Sequence, residues 1–146
     1  MNYKNIDEEV LTSVYKNAHI ALQSISNVIG ETTDEKMKNE LIGEYDGYES
    51  FIGKLSSYMK EIGCEPKDIG VLQKAFMFTS IKMNTLTDDS TSHIAELMIK
   101  GTVMGITELT EILNNHESEL NEKTVSLTKE LLSLEESYEQ RLKKLL

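Results

Sequence analysis

Two glutamates stand within or beside apolar helical stripes, and their type and position could support chemistry. Glu44 falls on the stripe that runs from Met37 to Ile62, and Glu135 falls at the edge of the stripe of the last helix. A buried carboxylate is costly unless it is paired or binds a metal ion. Each glutamate therefore marks either a metal ligand or a hydrogen bond, for which Tyr48 and Tyr138 can supply the hydroxyl groups.

The other reactive side chains predict no site. His19, His93 and His116 are far apart and form no His-x-x-x-His pair, so we interpret them as surface or capping residues. Cys64 has no Cys-x-x-Cys partner and is interpreted as an inert thiol. Neither a phosphate-binding glycine loop nor a Ser/His/Asp set is present. The sequence predicts no catalytic residue and no bound cofactor.

Composition limits the classes of partner. The 146 residues are enough for one domain, 1–146, with its own hydrophobic core. A net charge of −10 disfavours binding to nucleic acid or to an anionic membrane surface. The single cysteine and the polar, acidic start of the chain, which has no signal-peptide pattern, predict a cytoplasmic protein.

Apolar spacing and capping residues predict an all-α chain. Thr32 and Glu35 form a capping box after a very short turn, which predicts that the first two helices are antiparallel neighbours. Gly63 is expected to end the second helix, and Ser90 or Ser92 to cap a later one. The predicted helices cover about 6–29, 34–62, 67–86, 91–115 and 118–145.

The stretch from His93 to Leu113 has the most complete core pattern. Gly101 and Gly105 lie four residues apart in it and predict a notch that a neighbouring helix, a large ring or a small ligand could enter. Its predicted buried residues are Ile94, Leu97, Met98, Met104, Leu109 and Ile112. The predicted stripe of the last helix is Leu120, Leu127, Leu131, Leu134, Tyr138, Leu142 and Leu145.

Three glycines interrupt the second helix. Gly43, Gly47 and Gly53 each cost ~1 kcal/mol relative to alanine in a helix interior. We expect close contact with a facing helix to compensate for this cost.

Several sequence pieces and the order of the helices resemble a known family. Four helices of about 25 residues, paired in two hairpins and joined by a crossover, have ferritin-like connectivity. The chain resembles small bacterial ferritin-like proteins of unknown function over most of its length. This implies a ferritin-like four-helix bundle with an additional shorter crossover helix, at about 67–86, between the second and third bundle helices. The pieces that carry the resemblance are Ile94-Ala95-Glu96, Gly101-Thr102, Met104-Gly105, Leu134-Glu135-Glu136-Ser137-Tyr138 and Leu142-Lys143-Lys144-Leu145.

The resemblance also implies a ligand pattern against which the chain can be compared. Metal-binding ferritin-like proteins take a Glu from each of two helices and a Glu-x-x-His from each of the other two. Here Glu44 is followed three residues later by Gly47, and Glu135 by Tyr138. Gly101-Thr102 stands where related proteins have a Gly-Glu pair, and the first helix has no inward glutamate. Both histidines are missing, so no metal is predicted.

Three functions follow from these patterns. The leading hypothesis is a non-enzymatic bundle that associates with itself, as a dimer, or with another protein, through the short helix or the glycine-rich face of the second helix. Tyr48, Tyr138, Gly101 and Gly105 are then expected to form an interior polar or packing cluster.

Two alternatives remain open at this point. The first is an iron or manganese oxidoreductase or storage protein with an atypical ligand set made of Glu44, Glu96 and Glu135. The second is a binder of a small apolar ligand, as the glycine notch and the seven methionines would allow.

Overall fold

Four long helices make up the described part of the chain. The computed structural model describes residues 4–64 and 90–146, with α1 at Lys4–Ile29, α2 at Glu35–Glu61, α3 at Thr91–His116, a 3-10 turn at Glu117–Glu119 and α4 at Glu122–Lys143. These residues include no strand, which confirms the all-α prediction for them. The helix predicted at about 67–86 lies outside the described residues. Over the described ranges, none of the helices combines the length and the apolar content that a membrane crossing requires.

α2 and α4 are antiparallel, as two ion pairs between them show. Lys54 Nζ lies 3.0 Å from Glu130 Oε2, and Arg141 Nε donates to Glu40 Oε1 at 3.0 Å. The residue numbers of the partners rise along one helix as they fall along the other. Both ion pairs are at least partly exposed, so each adds little to stability. They are useful here because they show the relative direction of the two helices.

The ends of the helices establish the remaining directions. The Asn121 backbone N–H, just before α4, donates to Asp7 Oδ1 in α1 at 3.0 Å, and Tyr58 Oη near the end of α2 reaches Asn121 Oδ1 at 3.4 Å. α1 and α4 therefore begin at the end of the bundle where α2 and α3 finish. α3 begins at the far end, ~39 Å away at 1.5 Å per residue. Cys64, after α2, and Ser90, before α3, thus lie at opposite ends of the bundle.

One buried stripe from each helix forms the core, in which α1 packs on α2 and α3 packs on α4. α1 also contacts α3 and α4, and α2 contacts α4. Removing such side chains from water supplies ~1.5–3 kcal/mol each. The fully buried apolar residues include Leu11, Val14, Ala18, Ile25, Met37, Leu41, Leu55, Met59, Leu109, Leu131 and Leu142.

The predicted stripes of α3 and α4 need correction. Met104, placed in the core by its spacing, is 72% exposed, because the buried line of α3 continues through Thr102 and Gly105 instead. In α4, Glu135 is fully buried and Leu134 only partly so. In both helices the packing surface passes through the polar or small residue next to the apolar one.

Two predicted caps also differ from the structure. Asp34, not Thr32, caps α2, and its side chain accepts a hydrogen bond from the Met37 N–H at 2.9 Å. Thr32 is buried and donates its hydroxyl to the Val28 carbonyl at 2.9 Å, so it closes the end of α1. α4 begins at Glu122 instead of near Ser118, because Asn121 provides its cap.

The end of α2 and the start of α3 lie where the sequence predicts them. Gly63 has a φ of 71°, and the Cys64 N–H reaches back to the Met59 carbonyl at 2.7 Å, which is a Schellman closure of α2. Ser90 is the residue that caps α3, where it accepts from the His93 N–H.

The glycines of α2 have different surroundings. A Cβ added to Gly43 or Gly53 would meet no atom of the described residues within 4 Å, and both glycines are exposed. Among residues 4–64 and 90–146, no facing helix makes the expected contact with these two glycines. For Gly47 it is confirmed, since a Cβ there would overlap Tyr138.

Candidate functional site

A layer of polar side chains crosses the middle of the hydrophobic core. We call it the central polar layer and define it as Asn17, Glu44, Tyr48, Glu135 and Tyr138. Glu44 and Glu135 are each 1% exposed, and Asn17 is 8% exposed. Carboxyl groups are seldom buried to this degree in helical cores, so the layer is the first candidate for a functional site.

Glu135 is held by a tyrosine of the facing helix. Tyr48 Oη donates to Glu135 Oε2 at 3.0 Å, as expected from the sequence. Among the described residues, Glu135 Oε1 has no hydrogen-bond partner. Burial raises the pKa of Glu135 to about 8, although the Tyr48 hydrogen bond lowers it. The carboxyl group is thus largely protonated at neutral pH.

Glu44 shares its surroundings with a second carboxyl group. Glu40, four residues earlier in α2 and paired with the Arg141 guanidinium, is near enough to affect its pKa. Burial, and then the Glu40 carboxylate, raise the pKa of Glu44 to about 10, while Arg141 lowers it. The Glu44 carboxyl group is therefore protonated at neutral pH, while Arg141 pairs with Glu40.

Tyr138 fills a space provided by Gly47. A Cβ at position 47 would overlap the Tyr138 hydroxyl, so α2 can approach α4 here only without a side chain. The Tyr138 ring meets Tyr48 edge-on with ring centroids 5.3 Å apart, and Arg141 lies 5.1 Å from its centroid. Burial raises the pKa of Tyr138 to about 12, so its hydroxyl stays protonated.

Gly105 provides the corresponding space on α3. Asn17 Nδ2 donates to the Gly105 carbonyl at 3.1 Å. A Cβ at Gly105 would lie 2.7 Å from Glu135 Oε1 and 3.1 Å from Asn17 Oδ1. The predicted notch exists at this position, but polar groups fill it instead of a ring or an apolar ligand.

Gly101 does not belong to the cluster. It is exposed, and in the part of the chain that the structure describes, no atom lies within 4 Å of a Cβ added to it. Its predicted place in the interior is wrong, because the buried line of α3 passes through Thr102 one residue later.

Glu96 also lies away from the central polar layer. It is exposed and pairs with Lys100 at 3.0 Å, one turn along α3. The hydrogen bond to Lys100 lowers the pKa of Glu96, as expected for a surface ion pair. The structure brings Glu44 and Glu135 into one layer and leaves Glu96 outside it.

The described residues were compared with the ligand set of a di-metal centre. Within residues 4–64 and 90–146, no three His, Cys, Asp or Glu side chains are grouped as metal ligands. Iron and manganese need several ionised carboxylates or imidazoles. Burial raises the pKa values of Glu44, Glu135, Tyr48 and Tyr138, so a metal ion in this layer would have to displace protons.

An apolar groove lies elsewhere, between α1 and α2 near their connecting turn. It has a volume of about 280 Å³ and is lined by Ser26, Ile29, Ile42 and Tyr45. Ile42, at its edge, is 43% exposed. The groove is separate from the central polar layer.

Asn17 is the member of the layer that the sequence pattern did not identify. It follows Val14 by three residues and precedes Ala18, so it stands at an inward position of α1. This inward position is the only feature of the sequence that could have identified Asn17. Its hydrogen-bond partner Gly105, on α3, is 88 residues away, beyond the reach of any local spacing.

Comparisons of the chain with models of protein families, with curated proteins and with solved structures find no match. The layer is therefore interpreted from its own geometry.

Proposed function

We propose that this chain is a non-enzymatic, ferritin-like helical bundle that acts by association with a second copy of itself. The observation that carries this proposal is the outer face of α2. Gly43 and Gly53 each cost ~1 kcal/mol in a helix, and no contact within the described chain compensates for them. A helix from another molecule that packs against this face would explain why the glycines are there.

The rest of this face suits close helix packing. Asp46, Ser50 and Ser57 continue the line of Gly43 and Gly53 at helical spacing, and all five residues are exposed. Short side chains allow two helix axes to approach to the lower end of the usual ~8–10 Å range. The partly exposed Ile42 and the apolar groove beside it add apolar area at the margin of this face.

The helix directions support the ferritin-like part of the proposal. Each hairpin is antiparallel, and Cys64 and Ser90 lie at opposite ends of the bundle. An end of α2 and a start of α3 at opposite ends of a bundle are what ferritin-like connectivity requires.

The fit of Gly47 to Tyr138 supports the non-enzymatic part. The family pattern would place a histidine at each of these two positions. In this chain the two residues are complementary, because the Tyr138 hydroxyl occupies the volume of a side chain at position 47. An imidazole at position 47, like any other side chain there, does not fit beside the Tyr138 ring.

Sedimentation equilibrium tests the association. We expect a dimer at about 100 μM, where a homodimer of micromolar Kd is populated. Gly53→Lys should shift the chain towards monomer, because a long charged side chain prevents close approach. Gly101→Lys is the matched control, since Gly101 is an equally open helical glycine on α3, and it should leave the dimer unchanged. A monomeric wild type, or the same mass distribution for both variants, would refute the proposal.

A further inference from the structure

The outer face of α2 has the spacing of a helix–helix contact. Exposed residues follow one another there at alternating intervals of four and three, the repeat that keeps two helices in contact along their length. We call this line the outer seam. No helix within residues 4–64 and 90–146 covers it, since all of its members are exposed. The outer seam consists of Asn39, Gly43, Asp46, Ser50, Gly53, Ser57 and Lys60.

Opposite charges stand at mirrored positions of the outer seam. Asp46 lies seven residues before Gly53, and Lys60 lies seven residues after it. Seven residues are about two turns and span ~10.5 Å, so both charges lie on the same side of α2 as this glycine. Between them and Gly53 the seam has only hydroxyl side chains, those of Ser50 and Ser57. Gly53 is therefore the midpoint of a seam whose two halves carry opposite charge.

Neither Asp46 nor Lys60 has an ion-pair partner within residues 4–64 and 90–146. The two charged residues on the flank of α2 that faces α4 are paired inside the chain, Lys54 with Glu130 and Glu40 with Arg141. Asp46 and Lys60 are fully on the exposed side and take no part in these pairs. Both charges can therefore be met by another molecule.

We propose that two copies of this chain pair through α2 in antiparallel directions, with the two-fold axis beside Gly53 and with Asp46 of each copy paired to the partner's Lys60. This inference rests on the dimer proposed above and specifies its geometry. A two-fold axis places each residue opposite one that lies at the same distance on the other side of Gly53. The Asp46–Lys60 pair therefore forms twice, and Ser50 meets the partner's Ser57 in the two layers between.

The position of Gly53 on the axis accounts for the glycine. A residue on a two-fold axis meets its own copy, and a side chain there would hold the two helices apart. A Cβ at Gly53 would meet no atom of the described residues within 4 Å, so a second backbone has access to this point. The four-and-three repeat favours a shallow crossing angle of ~20°, which keeps the helices close as far as the charged layers.

The charges favour the antiparallel direction over the parallel one. A parallel two-fold pair would place every residue of the seam opposite its own copy, so that Asp46 faces the partner's Asp46 and Lys60 the partner's Lys60. Both contacts would be repulsive. In the antiparallel pair both are attractive, and the neighbouring Glu49 lies opposite the partner's Ser57, so no like charges oppose each other there.

Charge reversal tests this geometry by sedimentation equilibrium. Asp46→Lys and Lys60→Asp each turn two attractive contacts into two repulsive ones, and each should raise the Kd of the homodimer about tenfold. An equimolar mixture of the two variants should dimerise as wild type does, because the mixed pair has opposite charges in both contacts. Native mass spectrometry should show that these dimers contain one chain of each kind. Glu111→Lys, the same change of charge at an exposed site on α3, is the control and should leave the Kd unchanged.

Three results would overturn the proposal, and they differ in what they say about association. A wild-type dimer whose Kd is the same in Asp46→Lys and in Lys60→Asp would refute the antiparallel geometry and leave the association standing. So would a mixture that fails to recover the dimer while circular dichroism shows both variants to be as helical as wild type. A monomeric wild type would refute the association and this geometry together.

Discussion

The hydroxyl of Tyr138 on α4 occupies the volume that a side chain at position 47 of α2 would fill. This contact joins the two helices at the centre of the bundle, next to the Tyr48–Glu135 hydrogen bond. Gly47 has helical backbone geometry, which other residues can also adopt. The glycine is therefore required by the packing of Tyr138 and not by the backbone conformation.

Gly47→Ala should destabilise the fold by ~1–3 kcal/mol, because overpacking a buried contact exceeds the ~1 kcal/mol that alanine gains in helix propensity. Urea unfolding measures the change. Gly101→Ala, at an open helical position, should instead stabilise the fold by up to ~1 kcal/mol. Tyr138→Phe removes the overlapping hydroxyl and should recover part of the loss in the double variant. A Gly47→Ala protein as stable as wild type would contradict this packing.

The free energy of unfolding should fall as pH rises from about 7 to about 8. Glu44 and Glu135 keep their protons in the folded state, where the pKa values are about 10 and about 8, but lose them on unfolding. Their stabilisation is complete below the unfolded pKa and is lost as pH rises to the folded one. Each proton contributes a slope of about 1.4 kcal/mol per pH unit.

The slope should change at about pH 8, above which only the Glu44 proton contributes, up to about pH 10. Urea unfolding at closely spaced pH values measures it. Glu135→Gln should halve the slope below pH 8, since a glutamine has no proton to lose, whereas Glu130→Gln should leave it unchanged. A flat profile for wild type across this range would show that the two carboxyl groups are ionised in the folded state.

Tyr48→Phe should destabilise the fold by ~1–3 kcal/mol, because Glu135 Oε2 would lose its donor while remaining buried. The Tyr48 hydrogen bond lowers the pKa of Glu135, so the carbon-13 titration of Glu135 should move to higher pH in the variant. Tyr58→Phe is the matched control. Its hydroxyl makes a long, exposed contact of 3.4 Å to Asn121, and its loss should cost less than ~0.5 kcal/mol. An unchanged Glu135 titration in Tyr48→Phe would argue against the hydrogen bond.

Protein purified without chelators should contain iron and manganese at far less than one ion per chain. The reason is that Glu44 and Glu135 are protonated near neutral pH and Glu96 lies outside the layer. Elemental analysis measures this, and a chelator should leave the thermal midpoint unchanged. Near-stoichiometric metal that is lost in Glu44→Ala but kept in Glu96→Ala would instead establish a metal site in the layer.

Helical spacing was enough to predict where the described helices lie, but not which residue of an adjacent pair faces inward. At Met104-Gly105 and at Leu134-Glu135, the pattern favoured the apolar residue, yet the less apolar neighbour lies on the packed side. The two positions depend on each other. The Glu135 carboxyl group fits inside the bundle because Gly105 has no side chain, and Gly105 itself has no apolar side chain that must be buried. Such a dependence between two helices does not show in the spacing of either one.

The candidate site was predictable only in part for the same reason. Glu44, Tyr48, Glu135 and Tyr138 stand out as polar groups near apolar stripes, and the structure places them together. Asn17 does not stand out, because an amide at one inward position of α1 becomes informative only when Gly105 and Glu135 are seen beside it.

The complementarity of Gly47 and Tyr138 makes the order of substitution matter. A larger residue at 47 meets a clash as long as 138 is tyrosine, whereas shortening 138 first leaves a void that a larger residue at 47 can then fill. The two positions are therefore epistatic. Substitution at 138 followed by substitution at 47 avoids the clash, whereas the reverse order does not. A library that varies either position alone would miss the combinations that remodel the middle of the bundle.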